Sequence, residues 1–204
     1  MESKTLDAYS RLNDILDTLR KECPWDKKQT LKSLRYLTIE EVHELSEAIV
    51  TGNTEDLKKE LGDLAMHIVF YMKIAEEQGL FTAADVYNTI CDKLVSRHPF
   101  IYDKENYHDE SWEQLKMREG RKDVLEGVPN SLPSMIKAIR MQEKVAGMRN
   151  GDWKLEIGEV KEGMTEEEFG NLIFSLIDWA RRHGINADDA LCGTNARFRE
   201  KYKE

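Results

Sequence analysis

The chain has 204 residues, 40% of them apolar and 34% charged, with 30 basic against 39 acidic side chains and a formal charge of −9. That length suits one domain or two small ones, and the apolar content is enough for a packed core, which excludes wholesale disorder. No apolar run approaches the roughly 18 residues of a membrane span, the N-terminus lacks the apolar stretch of a secretory signal, and the negative charge disfavours nucleic acid as a partner.

In chain order, residues 5–22 carry Leu12, Ile15, Leu16 and Leu19 at helical spacing, and Cys23-Pro24 ends that run. A second helix is predicted from Thr30 to Thr51, closed by Gly52-Asn53. Thr54 reads as the N-cap of a third helix. Its Leu57, Leu61, Leu64, Ile68, Met72 and Ala75 form a 3.6-residue stripe, and Gly79 stops it. A fourth helix is expected over 83–97, broken by His98-Pro99. Residues 99–110 read as irregular and 111–122 as a helix. Gly127, Pro129 and Pro133 mark 123–134 as a linker, and further helices are expected over 134–148, 165–182 and 187–203. No segment alternates as a strand would, so the chain reads as all-α. Cys23, Cys91 and Cys192 are odd in number and form no CxxC pair, which predicts reduced thiols in a cytoplasmic protein.

A faint repeat is present. Leu61-Gly62-Asp63-Leu64 resembles Phe169-Gly170-Asn171-Leu172, and Gln78-Gly79-Leu80 resembles His183-Gly184-Ile185. Lys93 and Arg97 then match Arg197 and Lys201 in spacing. Two copies of one helical unit account for this pattern.

The acids on the second and third helices are out of place for solvated faces. With Leu34 at zero on a helical wheel, Glu41 falls at about 340°, inside the apolar arc, and Glu44 at about 280°, on its edge. Glu60 and Asp63 flank the apolar stripe of the third helix, sharing that border with His67 and Tyr71. Two helices joined by a short turn pack antiparallel. Glu44 and Glu60 each lie eight residues from Gly52, and Glu41 and Asp63 each lie eleven, so all four acids can meet at one depth. Carboxylates facing a core need a counter-charge, and hard oxygen donors select Mg²⁺, or Mn²⁺ in its place, over zinc. A ferritin-like di-iron site would need a second Glu-x-x-His beside Glu40 and His43, and none exists. Lys93 and Arg97, four apart on one helix face, suit a phosphate clamp, or simply solvated charges.

These residues resemble the signature of the MazG family, all-α nucleoside triphosphate pyrophosphohydrolases. Glu40-Glu41-x-x-Glu44 followed by Glu60-x-x-Asp63 is similar to its EExxE…ExxD pattern. Cys23-Pro24-Trp25-Asp26-x-x-Gln29-Thr30, Asp92-Lys93-Leu94-x-x-Arg97-His98-Pro99, Trp112-Glu113 and Leu125-x-Gly127-Val128-Pro129-x-x-Leu132-Pro133 also match in order and spacing. The resemblance implies Mg²⁺-dependent hydrolysis of NTPs or dNTPs to the monophosphate and pyrophosphate. It implies metal ligation by Glu41, Glu44, Glu60 and Asp63, phosphate contacts from Lys93 and Arg97, and a four-helix bundle completed by dimerisation. It divides the chain into a catalytic domain over 1–122, a linker over 123–134 and a degenerate second copy over 135–204. In that copy Asn171 replaces the Asp, and Glu156, Glu159 and Glu162 lie too near Glu168 to occupy a separate helix, so no metal site is expected there.

Glu41 is the candidate proton acceptor, since an apolar setting raises a carboxyl pKa, with Glu40 the alternative. Trp25 and Gln29 are candidates for base recognition, and His67 and Tyr71 could touch sugar or base, although each also suits a packing role. House-cleaning of non-standard nucleotides is one setting for such an enzyme. Narrower dUTP/dCTP or phosphoribosyl-ATP pyrophosphatases, and a non-catalytic nucleotide- or metal-binding helical module, are the alternatives.

Overall fold

The computed structural model describes residues 2–105, 115, 120, 123–148 and 154–201. All described regular structure is helical. The expected helix over 111–122 falls almost wholly outside the described residues. The chain divides into two compact units, Met1–Ser96 and Arg97–Glu204.

In the first unit, α1 (Glu2–Glu22) leads through a short 3₁₀ turn (Asp26–Lys28) into α2 (Leu31–Thr51), α3 (Thr54–Glu77) and α4 (Ala83–Arg97), whose last residue opens the second unit. Thr30 caps α2: its hydroxyl accepts from the Ser33 N–H at 3.0 Å while Ser33 Oγ accepts from the Thr30 N–H at 2.8 Å. Gly52 ends the helix with φ +69°, a conformation that penalises any Cβ. The cap of α3 is Asn53 rather than Thr54. Its side-chain oxygen accepts from the Glu55 and Asp56 N–H groups, and Thr54 is the first helical residue.

α3 is the central element. Toward α1 its Val69 and Met72 bury Leu16, and toward α2 its Phe70 and Ile74 bury Leu34. The buried face therefore runs through Glu60, His67, Phe70 and Ile74. The apolar stripe read from the sequence only partly faces inward: Met72 and Ala75 are buried, but Leu61 and Ile68 are each 52% exposed. A helix apolar on two sides offers two candidate inner faces, and a wheel cannot say which one a single chain covers.

In the second unit, α5 (Pro99–Tyr102) replaces the start of the stretch expected to be irregular. Pro99 at the first helical position, where its missing N–H is harmless, accounts for the difference. The segment leading into α6 (Ser134–Met148) is a chain of turns. Lys144 of α6 donates to the carbonyls of Val124 and Glu126 at 3.0 and 3.1 Å. Fully buried Gln142 donates to the Phe174 carbonyl of α7 (Glu166–Arg182) at 2.7 Å, and α8 (Ala187–Lys201) closes the unit.

α3 and α7 end in the same device, a left-handed glycine (Gly79, φ +66°; Gly184, φ +70°). In each, the next N–H reaches back into the last turn, Leu80 to Ala75 at 3.0 Å and Ile185 to Ala180 at 2.9 Å.

Candidate metal centre

The α2–α3 pair brings three of the four expected acids together. Ligand oxygens of Glu41, Glu60 and Asp63 lie within 4.8 Å of one another. Glu60 is 4% exposed, and its Oε2 has no hydrogen-bond partner. A buried carboxylate oxygen left unpaired is costly in a protein interior, so the donor set fits a hard cation there. Glu44 stands at the margin. It is exposed, and its Oε2 lies 3.9 Å from Lys59 Nζ. The Glu41 carboxyl is held above its ordinary range by burial first, then by the charges of Asp63, Glu44 and Glu60.

One turn before Glu41, Thr38 gathers two of the candidate recognition residues. Its hydroxyl lies 2.6 Å from the Tyr71 hydroxyl and 3.1 Å from His67 Nδ1. His67 is buried, and burial lowers its pKa, opposed only in part by Asp63. Both side chains therefore tie α3 to α2 directly behind the acids, a packing contribution that the wheel could not separate from substrate contact.

Trp25 and Gln29 sit at the other end of α2. Trp25 is 53% exposed, so it is not the core aromatic that its position after Pro24 allows. Gln29 Nε2 donates to the Trp25 carbonyl at 3.2 Å, and Gln29 Oε1 accepts from Ser33 Oγ at 2.7 Å, which fixes the loop to the start of the helix. A residue that the sequence reasoning missed holds this loop. The Arg20 guanidinium donates to the carbonyls of Asp26 and Gln29, pairs with Glu77 at 2.8 Å and lies 5.6 Å from the Phe70 ring centroid. Its partners are 6 to 57 residues away, beyond any helical spacing rule.

Lys93 and Arg97 both lie on α4. Lys93 lines a cavity of about 370 Å³ with Phe81, Asp85 and Ile90, and among the described residues it forms no ion pair with the four acids. Arg97 is buried at the end of the helix.

In the second unit, Glu156, Glu159, Glu162, Glu168 and Asn171 line a cavity of about 420 Å³. Glu168 is committed locally. Its carboxylate accepts from the Thr165 N–H at 2.8 Å and hydroxyl at 2.9 Å as the cap of α7, which holds its pKa below the ordinary value.

Residues 29–102, which carry both acid pairs, match the MazG nucleotide pyrophosphohydrolase domain. A nucleoside triphosphate pyrophosphohydrolase of Thermotoga maritima, also named MazG, is 37% identical over 216 residues, covering 96% of this chain and 84% of the relative. The chain belongs to the MazG family. A nucleoside triphosphate pyrophosphohydrolase of Escherichia coli K12 is 33% identical over 98% of this chain and 87% of its own length. A Mycobacterium tuberculosis protein of the same description is 35% identical over 64% of this chain and 42% of its own length. MazG enzymes are metal-dependent pyrophosphatases, and the α2–α3 pair carries an acidic cluster whose donors could hold a metal ion. No described helix is long and apolar enough to cross a membrane.

Proposed function

We propose that the chain hydrolyses nucleoside triphosphates, ribo- or deoxyribo-, to the monophosphate and pyrophosphate at Glu41, Glu44, Glu60 and Asp63. The observation that carries this reading is the convergence of three carboxylates within 4.8 Å around the unpaired Glu60 Oε2, inside the segment that matches the family. Mg²⁺, with Mn²⁺ as its substitute, would supply charge neutralisation and a more acidic water when bound there.

The chain's own residues do the rest. Water adds to phosphorus, the anhydride P–O bond breaks, and pyrophosphate and the monophosphate separate. Glu41 takes the proton of the attacking water at a carboxylate oxygen, a role that its raised pKa supports. Lys93 and Arg97 neutralise the polyphosphate. Trp25 offers an exposed ring to the base, and Gln29, anchored to it, offers amide groups. Thr38, His67 and Tyr71 hold the two acid helices in register.

The exposed Leu61 and Ile68 of α3, with Ile39 and Val42 of α2, support a homodimer in which a second pair of helices completes a four-helix bundle. Residues 135–204 serve as a degenerate second copy without a metal site. Three unpaired cysteines support a cytoplasmic setting. Clearance of non-standard nucleotides is the role such an activity suits.

The test is pyrophosphate release with Mg²⁺ across a panel of NTPs and dNTPs, wild type beside Glu41→Gln and Asp63→Asn. Loss of at least a hundredfold in kcat in both variants, with folding retained, is expected. Undiminished release in either would remove that residue from the site. No release with any nucleotide, from wild-type protein that binds Mg²⁺, would favour the non-catalytic binding module.

A further inference from the structure

The acids of the α2–α3 pair already have a cation beside them, and it is part of the chain. Lys59 Nζ donates to Glu60 Oε1 at 2.9 Å and lies 3.9 Å from Glu44 Oε2. The contact is unusual in form. Consecutive residues on a helix point about 100° apart, so neighbours do not ordinarily face one another. Lys59 nevertheless curls its stem back over its own neighbour and reaches across to α2. Its side chain remains 64% exposed while that of Glu60 is 5% exposed. The ammonium thus sits at the solvent mouth of the acid cluster, on two of the carboxylates that the proposed reaction needs as ligands. Lys58, one residue earlier, pairs instead with Glu55 on the outer surface of α3.

We propose that Lys59 is a tethered counter-cation of the metal centre. It compensates Glu60 and Glu44 when no divalent ion is bound, and it must leave them when one arrives, so it sets how much divalent ion the site requires. The inference rests on the proposed reading of the acids as metal ligands. Lys59 is a positioning residue and takes no part in the bond-breaking step. An ammonium cannot hold the site against a divalent ion at saturation, since it offers one charge and a flexible, largely solvated stem. It can shift the midpoint. Removing a mostly exposed ion pair should tighten divalent binding by about two- to fivefold, the range such pairs support.

The experiment is calorimetric titration of Mg²⁺ and Mn²⁺ into wild type, Lys59→Met and Lys58→Met without nucleotide, with melting temperatures recorded without and with saturating Mg²⁺. Lys58→Met makes the same change in net charge with no contact to the cluster, so it isolates the local effect. The expected result is a two- to fivefold tighter Kd for Lys59→Met and a change under about 1.5-fold for Lys58→Met. Lys59→Met should also melt lower than wild type without divalent ion and reach the wild-type value with it. Unchanged or weaker binding by Lys59→Met, or equal tightening by both variants, would overturn the proposal while leaving the acids as ligands. Failure of wild type itself to bind either ion would overturn the metal centre, and the counter-cation with it.

Discussion

Replacing Arg20 by Met removes one guanidinium and tests whether the entry loop is clamped from outside α2. The native side chain is only 15% exposed, so its contacts are poorly screened. Each charge-assisted bond to the Asp26 and Gln29 carbonyls is worth about 1.5 kcal/mol at the low end of its class. The pair with Glu77, whose side chain is 46% exposed, adds at most about 1 kcal/mol, and the stack on Phe70 about 0.5 to 1 kcal/mol. Met keeps the aliphatic stem but none of these contacts, so the net loss should be about 3.5 to 5 kcal/mol. For a unit of this size that lowers the melting temperature by about 15–25 °C. Glu77→Gln leaves the two carbonyl bonds intact and should cost about 1 kcal/mol or less. The pH dependence follows from the same contact. Arg20 holds the Glu77 carboxyl below its ordinary 4.5, so this stabilisation is complete above that value and is lost as pH falls through the lower folded pKa. The gap between wild type and Arg20→Met should therefore narrow as the pH falls below 4.5 and through the lower folded pKa of Glu77. The assay is thermal unfolding followed by circular dichroism from pH 3 to 8. An Arg20→Met melting point within about 3 °C of wild type, or a Glu77→Gln loss equal to it, would refute the clamp.

Two further outcomes are expected. His67 is buried with a lowered pKa, so the unfolded chain binds its proton first and stability falls as pH drops below 6.5. Glu41, with a raised pKa, acts in the opposite direction, so the measurement is a comparison: His67→Asn should flatten the melting profile between pH 6.5 and 5, and an unchanged profile would sink the assignment. Ile68→Glu places a charge on the exposed stripe of α3 and should shift sedimentation from dimer to monomer with little loss of secondary structure; a dimer that persists would move the interface elsewhere.

Helix positions were largely legible because their ends are chemically marked. Thr30, Gly52 and Gly79 each act through backbone hydrogen bonding that needs no tertiary partner, and those boundaries follow directly. The cap at Asn53 was displaced by one residue because Asn and Thr both accept from the first turn, and only backbone dihedrals separate them. The convergence of Glu41, Glu60 and Asp63 was legible because Glu41 falls in an apolar arc, where a carboxylate is an energetic anomaly, and the acids stand at matched distances from the Gly52 turn. Lys59 was not, since its position on the wheel points away from the partner that it reaches. Arg20 and Thr38 were equally silent, as their roles come from contacts across elements. The stripe on α3 misled for a related reason: periodicity records the total apolar surface of a helix, not which neighbour covers it.

The short turn at Gly52 works as a ruler. Glu41 and Asp63 are 22 residues apart in sequence, so the clustered carboxylates are gathered by a single local chain reversal. Inserting one residue within α2 between Glu44 and that turn would rotate one acid pair by about 100° and slide it by about 1.5 Å against the other. Local helical pairings of this kind form early, on the timescale of microseconds. The candidate carboxylates are therefore mounted on a pairing that needs no long-range chain closure, and their mutual repulsion is a burden borne by that one helical hairpin.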